Sequence, residues 1–108
     1  MSTGAVLAIL LLAALFEAGG DALIRAGLHH AQWRWLLMLA GAVALFGYGY
    51  AVNAPPWDFG RLLSVYIVLF FVVAQIIAWL AFGQKPSTAL LLGGAFIVAG
   101  GMIIASHT

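Results

Sequence analysis

Gly4-Ala5-Val6-Leu7-Ala8-Ile9-Leu10-Leu11-Leu12-Ala13-Ala14-Leu15-Phe16-Glu17-Ala18-Gly19-Gly20-Asp21-Ala22-Leu23-Ile24-Arg25-Ala26 is the stretch that decides the fold. Its only ionisable side chains are Glu17, Asp21 and Arg25. As a helix rising 1.5 Å per residue, such a run crosses the ~30 Å hydrocarbon core of a bilayer. A charged, unpaired carboxylate at that depth costs roughly 2.5–3.5 kcal/mol on insertion scales, so Glu17 is a functional candidate. The plainer alternative is a protonated Glu17 in a helix contact. For Asp21 and Arg25, four residues apart, the plainer alternative is a pair along the helix.

The composition agrees with a membrane chain. Of 108 residues, 66% are hydrophobic and 6% charged, with a mean hydropathy of +1.16. Soluble domains carry about 25% charged residues, and a soluble chain this short leaves too much surface in water to hide so much apolar side chain. The formal net charge of +1 is too small for a nucleic-acid partner. With no cysteine, neither a disulfide framework nor a thiolate metal site is expected. The first segment lacks a basic leading region, is long for a signal core and carries acids, so it reads as a retained helix.

Three further apolar segments follow: Trp33 to Val52, Leu62 to Phe82 and Ser87 to Ala105, after a first that runs from Gly4 to Gly27. Each is close to the roughly 20 residues a spanning helix needs. Spanning strands would be about half as long and would alternate in polarity. The fold expected is all-α, one domain of four transmembrane helices. The links are short. Leu28 to Gln32 carries the adjacent His29 and His30, which point apart on a regular backbone and make no metal site by themselves. Asn53 to Gly60 holds Pro55 and Pro56, which stop a helix, and Gly83-Gln84-Lys85-Pro86 places Pro86 where a helix first turn accepts it. Short links make consecutive helices antiparallel neighbours, with both termini on one side. Trp33, Trp35, Trp57 and Trp79 fall at or near segment ends, where an interfacial aromatic belt lies. Arg25, Arg34 and Lys85 lie toward one side and Arg61 toward the other. That weak bias favours the first and third links in the cytoplasm, yet is small enough for insertion both ways.

Glu17, Asp21 and Arg25 share one helical face. A carboxyl group in hydrocarbon that gives up its proton when a cation arrives, and regains it when the cation leaves, is the least machinery for proton-coupled exchange. Asp21 shares that titration if both acids face one cavity. In the third segment Ser64 and Gln75 share a face, and Gln75 needs a hydrogen-bond partner at membrane depth; it either ties helices together or lines a polar path. Tyr66 stacks on a cation, hydrogen-bonds Glu17 or merely packs. Of Tyr48, Tyr50 and Asn53, only Tyr48 is placed to reach a cavity, with Gly47 and Gly49 admitting another helix nearby. Gly93-Gly94 and Gly100-Gly101 repeat at a spacing of seven, a stripe for close packing, either against a second copy or against the third helix. Four helices enclose too little for a substrate cavity, so a second copy is expected. No nucleotide, phosphate or hydrolase motif is present, and neither an enzyme nor a cofactor is expected.

These residues resemble the small multidrug resistance family of four-helix transporters over nearly the whole chain. Ala13-Ala14-Leu15-Phe16-Glu17 followed by Arg25 resembles the family's embedded glutamate with its basic follower. Phe82-Gly83-Gln84-Lys85 is similar to its third turn, and Gly93-Gly94 through Ile104 to its dimerisation helix. The resemblance implies an antiparallel, dual-topology homodimer in the bacterial inner membrane that exports small organic cations in exchange for protons. It implies a shared site at Glu17, with Tyr66 where the family has a substrate-stacking tryptophan, and dimer contacts at Gly93 and Gly100. The chain departs from the family in having no glycine across Tyr66-Ile67-Val68-Leu69-Phe70, in Gly19 where guanidinium exporters have tryptophan, and in the additional acid Asp21. Pro56-Trp57-Asp58-Phe59-Gly60-Arg61 is closer to the YnfA-like branch. Two other expectations stand beside transport: a non-transporting membrane subunit paired with another short chain, and a protein that handles lipid head groups.

Overall fold

The computed structural model describes residues 1–30 and 32–106; Ala31, in the first link, lies outside them. Four helices follow in order: α1 (Thr3–His29), α2 (Arg34–Val52), α3 (Phe59–Phe82) and α4 (Thr88–Ser106). All four are long and apolar enough to cross a membrane. The protein is therefore an all-α, multi-pass membrane protein. At 1.5 Å per residue α1 is about 40 Å long, more than the hydrocarbon thickness, so it tilts or projects at its ends.

Local chemistry sets the helix ends. Ser2 caps α1, its Oγ accepting from the Ala5 N–H at 3.1 Å, and Ser87 caps α4 by accepting from the Leu90 N–H at 3.1 Å. Such caps satisfy donors that a helix start leaves unpaired. Gly83 closes α3 in the left-handed region at φ 67°, which a residue without Cβ adopts at little cost. Its N–H donates to the Trp79 carbonyl and that of Gln84 to the Ala78 carbonyl, each at 3.0 Å. Arg34 Nε donates to the Gly27 carbonyl at 3.2 Å, tying the start of α2 to the end of α1. The third helix begins at Phe59, ahead of the Leu62 expected, because Pro55 and Pro56 have already released the chain and Asp58 opens the first turn.

Across the molecule the helices lie in the order α2, α1, α3, α4: α1 packs on both α2 and α3, and α4 packs on α3. The extents are 48 × 34 × 19 Å. The shortest is about two helix diameters, so the chain is a slab rather than a closed bundle. The expectation that short links make every consecutive pair packed neighbours fails for α2 and α3, which both pack along α1 and meet each other at the Tyr48 and Tyr66 rings. The residues between them, 53–58, span about 20 Å when extended, enough to step over one helix.

The core joins Val6, Leu10, Ala13, Ala14 and Ala18 of α1 to Val52 and to Leu62, Val65, Tyr66 and Val73 of α3. Elsewhere large apolar side chains face outward, Leu80 at 81% and Phe46 at 78% exposure among them, a surface that only lipid solvates without penalty. Because lipid supplies no hydrophobic drive between helices, cohesion depends on close packing of small residues. The α1–α2 crossing does this at Gly20 and Gly41. A Cβ on Gly41 would lie 2.6 Å from Ile24 Cγ1 and 2.8 Å from the Gly20 carbonyl oxygen.

Gly41→Val is expected to force α1 and α2 apart, at the 1–3 kcal/mol typical of overpacking (about that range), lowering the thermal midpoint in detergent. Gly49→Ala, where a Cβ would meet nothing within 4 Å, is expected to leave that midpoint unchanged or slightly higher; equal behaviour of the two variants would refute the packing assignment.

Candidate functional site

Glu17 falls near the middle of α1 (Thr3–His29), and so near the bilayer midplane. Tyr66 of α3 lies alongside it, because α1 and α3 run parallel and in contact in an up-down-up-down chain. The Tyr66 hydroxyl donates to Glu17 Oε1 at 2.7 Å, the length usual for a hydroxyl on a carboxylate. Tyr66 is buried, 4% exposed, so this polar contact is made in an apolar setting where a lone hydroxyl would be costly.

Two more aromatic rings lie beside that of Tyr66. Tyr48 of α2 has its ring centroid 5.6 Å from that of Tyr66, and Phe70, one turn along α3, lies 6.1 Å from it on the same helix. Gly41, Leu45, Tyr48 and Val52 are spaced to face α1, so the glycine crossing that draws α2 inward also brings Tyr48 to Glu17. Phe16 packs over Gly47 of α2, where a Cβ would lie 3.4 Å from its ring. The result is a carboxyl group with one oxygen held by a phenol whose ring lies between those of Tyr48 and Phe70. Rings of this kind attract a cation through their faces.

Asp21 lies one turn from Glu17 and is exposed. It lines a groove of about 190 Å³ between α1 and α3, together with Ala18, Ala22, Arg25, Phe70, Ala74, Ile77, Ala78, Phe82 and Gln84. The expected Asp21–Arg25 pair does not form: the Arg25 guanidinium reaches across to α3 and lies 5.6 Å from the centroid of the Phe82 ring. A long side chain near a helix end gains by carrying its charge outward along apolar surface, and a ring face at the mouth of the groove receives it.

The remaining expected residues divide by helix face. Tyr66, Phe70, Val73 and Ile77 form the α3 stripe toward α1. Ser64, Val68, Phe71 and Gln75 form another, toward α4, since Gly94 abuts the Phe71 ring and Gly101 abuts Val68. Ser64 therefore does not join Glu17; its hydroxyl donates to the Gly60 carbonyl at 2.7 Å, one turn back. Gln75 makes no side-chain hydrogen bond to the described residues, so it does not tie α3 to α4 in that way. The fourth-helix glycines split as well. Gly94 and Gly101 are buried against α3 of the same chain, while Gly93 and Gly100 have nothing within 4 Å of a would-be Cβ and face outward.

Phe70 and Phe82 were not singled out by sequence reasoning. Phe70 stands four residues after Tyr66, a spacing that would have flagged it once Tyr66 was placed beside Glu17. Near the second link, Arg61 stacks its guanidinium 3.9 Å from the Trp57 ring centroid, which accounts for the half-burial of that tryptophan.

No family profile matches the chain, and no solved structure matches it. Sequence relatives do. The chain is 38% identical over 101 residues to a UPF0060 membrane protein of Streptomyces avermitilis, covering 90% of this chain and 87% of the relative. It is 32% identical over 98 residues to a UPF0060 membrane protein of Herpetosiphon aurantiacus, covering 89% and 88%. A UPF0060 membrane protein of Rhodococcus jostii is 33% identical over 106 residues, covering 96% and 95%. With near full-length identity above 30% to bacterial membrane proteins of one kind and four spanning helices of its own, the chain belongs to the UPF0060 family, the YnfA-like branch of four-helix membrane proteins similar to the small multidrug resistance family.

Proposed function

We propose that the protein is a proton-coupled antiporter that exports small organic cations across the bacterial inner membrane as a homodimer. The observation that carries this reading is the 2.7 Å bond from Tyr66 to Glu17 Oε1 at the middle of a spanning helix. A carboxyl group in that position alternates between two occupants. With a proton bound it is neutral and tolerable in hydrocarbon; with a cation beside it, its charge is balanced. Tyr66 holds one oxygen in either condition, and the second oxygen is left for the proton or the cation. The faces of Tyr48, Tyr66 and Phe70 add affinity for a soft organic cation over a hydrated inorganic one.

A second copy completes the site. A slab 19 Å deep leaves Glu17 half-buried at its face rather than enclosed. Gly93 and Gly100, facing outward on α4, offer a close contact for the partner. Arg25, Arg34 and Lys85 on one side against Arg61 on the other leave orientation weakly biased, which suits an antiparallel pair. Rocking of one copy against the other around a midplane site then exposes Glu17 to each side in turn. A second reading, handling of lipid head groups, draws on the open α1–α3 groove, whose apolar walls Phe70, Ala74 and Ile77 suit an acyl chain.

Two outcomes test the proposal on purified protein reconstituted in liposomes, with currents recorded on a solid-supported membrane on adding quaternary ammonium, guanidinium and polyamine cations. Glu17→Gln is expected to abolish substrate-driven currents while leaving the dimer intact by size and crosslinking; wild-type transport in that variant would refute the mechanism. Tyr66→Phe keeps the ring and removes the donor. A hydrogen bond to a charged group contributes about 1.5–3 kcal/mol, so the apparent substrate affinity is expected to fall by about tenfold or more. An unchanged affinity would make Tyr66 a packing residue only.

A further inference from the structure

We propose that the groove between α1 and α3 binds a small zwitterion, its cationic end toward Asp21 and its anionic end toward Arg25. The proposal deepens and rests on the transport reading, because Asp21, which lines the groove, stands one helical turn from Glu17 on the same face of α1. It names the substrate class: organic ammonium compounds that also carry an anionic group a few ångströms away.

The charges are the first support. Asp21 and Arg25 both line the groove. They stand four apart in the order that favours an intrahelical pair, acid before base. Even so, the guanidinium sits over Phe82, 5.6 Å from the ring centroid, and both charges remain open to a ligand. A simple cation at Asp21 leaves Arg25 without an anion, and a simple anion at Arg25 faces the acid Asp21 one turn away. A ligand bearing both charges satisfies both groups at once.

Geometry is the second support. Four residues of helix separate the Cα atoms of Asp21 and Arg25 by about 6 Å along the axis. Arg25 lies nearer the membrane surface, with Gln84 of the third link beside it at the mouth. The walls between, Phe70, Ala74 and Ile77, are apolar and suit the methylene spacer of such a compound. A volume of about 190 Å³ is enough for one small organic molecule.

The order of the charges sets the class further. From the midplane outward the groove presents acid, then base, and so asks for a cation inside and an anion outside. A zwitterionic phospholipid entering tail-first has the reverse order, phosphate inside and ammonium outside. The groove therefore selects a free zwitterion that enters ammonium-first, toward Glu17.

The test compares 4-(trimethylammonio)butyrate with its methyl ester, which keeps the cation and loses the anion. Binding to the detergent-purified protein is measured by isothermal titration calorimetry, with solid-supported-membrane currents recorded in parallel. A charge-assisted contact at Arg25 is expected to make the zwitterion bind about tenfold more tightly than the ester. Arg25→Gln is expected to erase that preference while leaving ester binding within about twofold, and Arg25→Lys, which keeps the charge but loses the planar fork, is expected to retain part of it. Equal affinities for the two compounds in the wild type, a preference that survives Arg25→Gln, or no binding of either compound overturns the assignment. If the ester drives currents abolished by Glu17→Gln while the zwitterion has no advantage, this inference fails and the transport reading stands. If the zwitterion binds with the expected Arg25 dependence but no cation drives current, the transport reading fails and the groove's ligand class stands.

Discussion

Lipid as a solvent gives two helices no hydrophobic reason to associate, so everything in this chain depends on how closely backbones approach where side chains are small. The decisive contact is the crossing of α1 and α2 at Gly20 and Gly41, where a single Cβ would strike the opposite helix. From it the rest follows. Drawing α2 onto one side of α1 carries Tyr48 toward Glu17, and the alanine run Ala13, Ala14 and Ala18 lets α3 settle on the other side with Tyr66 in reach of the same carboxyl group. Without those small residues the aromatic rings and the acid would lie on separate, lipid-facing surfaces.

The price of a polar group in hydrocarbon shapes the site. Glu17 is tolerable because a buried phenol donates to it. Asp21 and Arg25 meet the same constraint in a different way, lying along the α1–α3 groove rather than pairing with each other. The molecule thus has an inner acid held by a fixed partner and an outer pair of opposite charges left open. The fourth helix contributes differently. Its inward glycines, Gly94 and Gly101, seat the Phe71 and Val68 side chains, and its outward ones leave a smooth face at the edge of the slab.

The sequence by itself determined the four spanning helices, the depth of Glu17 and the positions of the turns. Hydrocarbon admits a spanning chain of this kind only as a helix, so apolar length alone specifies the element, and a fixed rise per residue places Glu17 at mid-span. Pro55, Pro56 and Gly83 act locally and so were equally legible. What only the tertiary structure decided was rotation and neighbourhood. A helix that is apolar on every side carries little periodic signal of which face is buried. That is why Ser64 and Gln75, correctly read as sharing a face, turned out to face α4 instead of Glu17, and why the glycine stripe of α4 divided between the chain's own core and its outer surface. The same reason applies to α1 lying between α2 and α3, and to Arg25 reaching Phe82 rather than Asp21. Each is settled by which close contact excludes the others, a property of helices packed together rather than of any one of them.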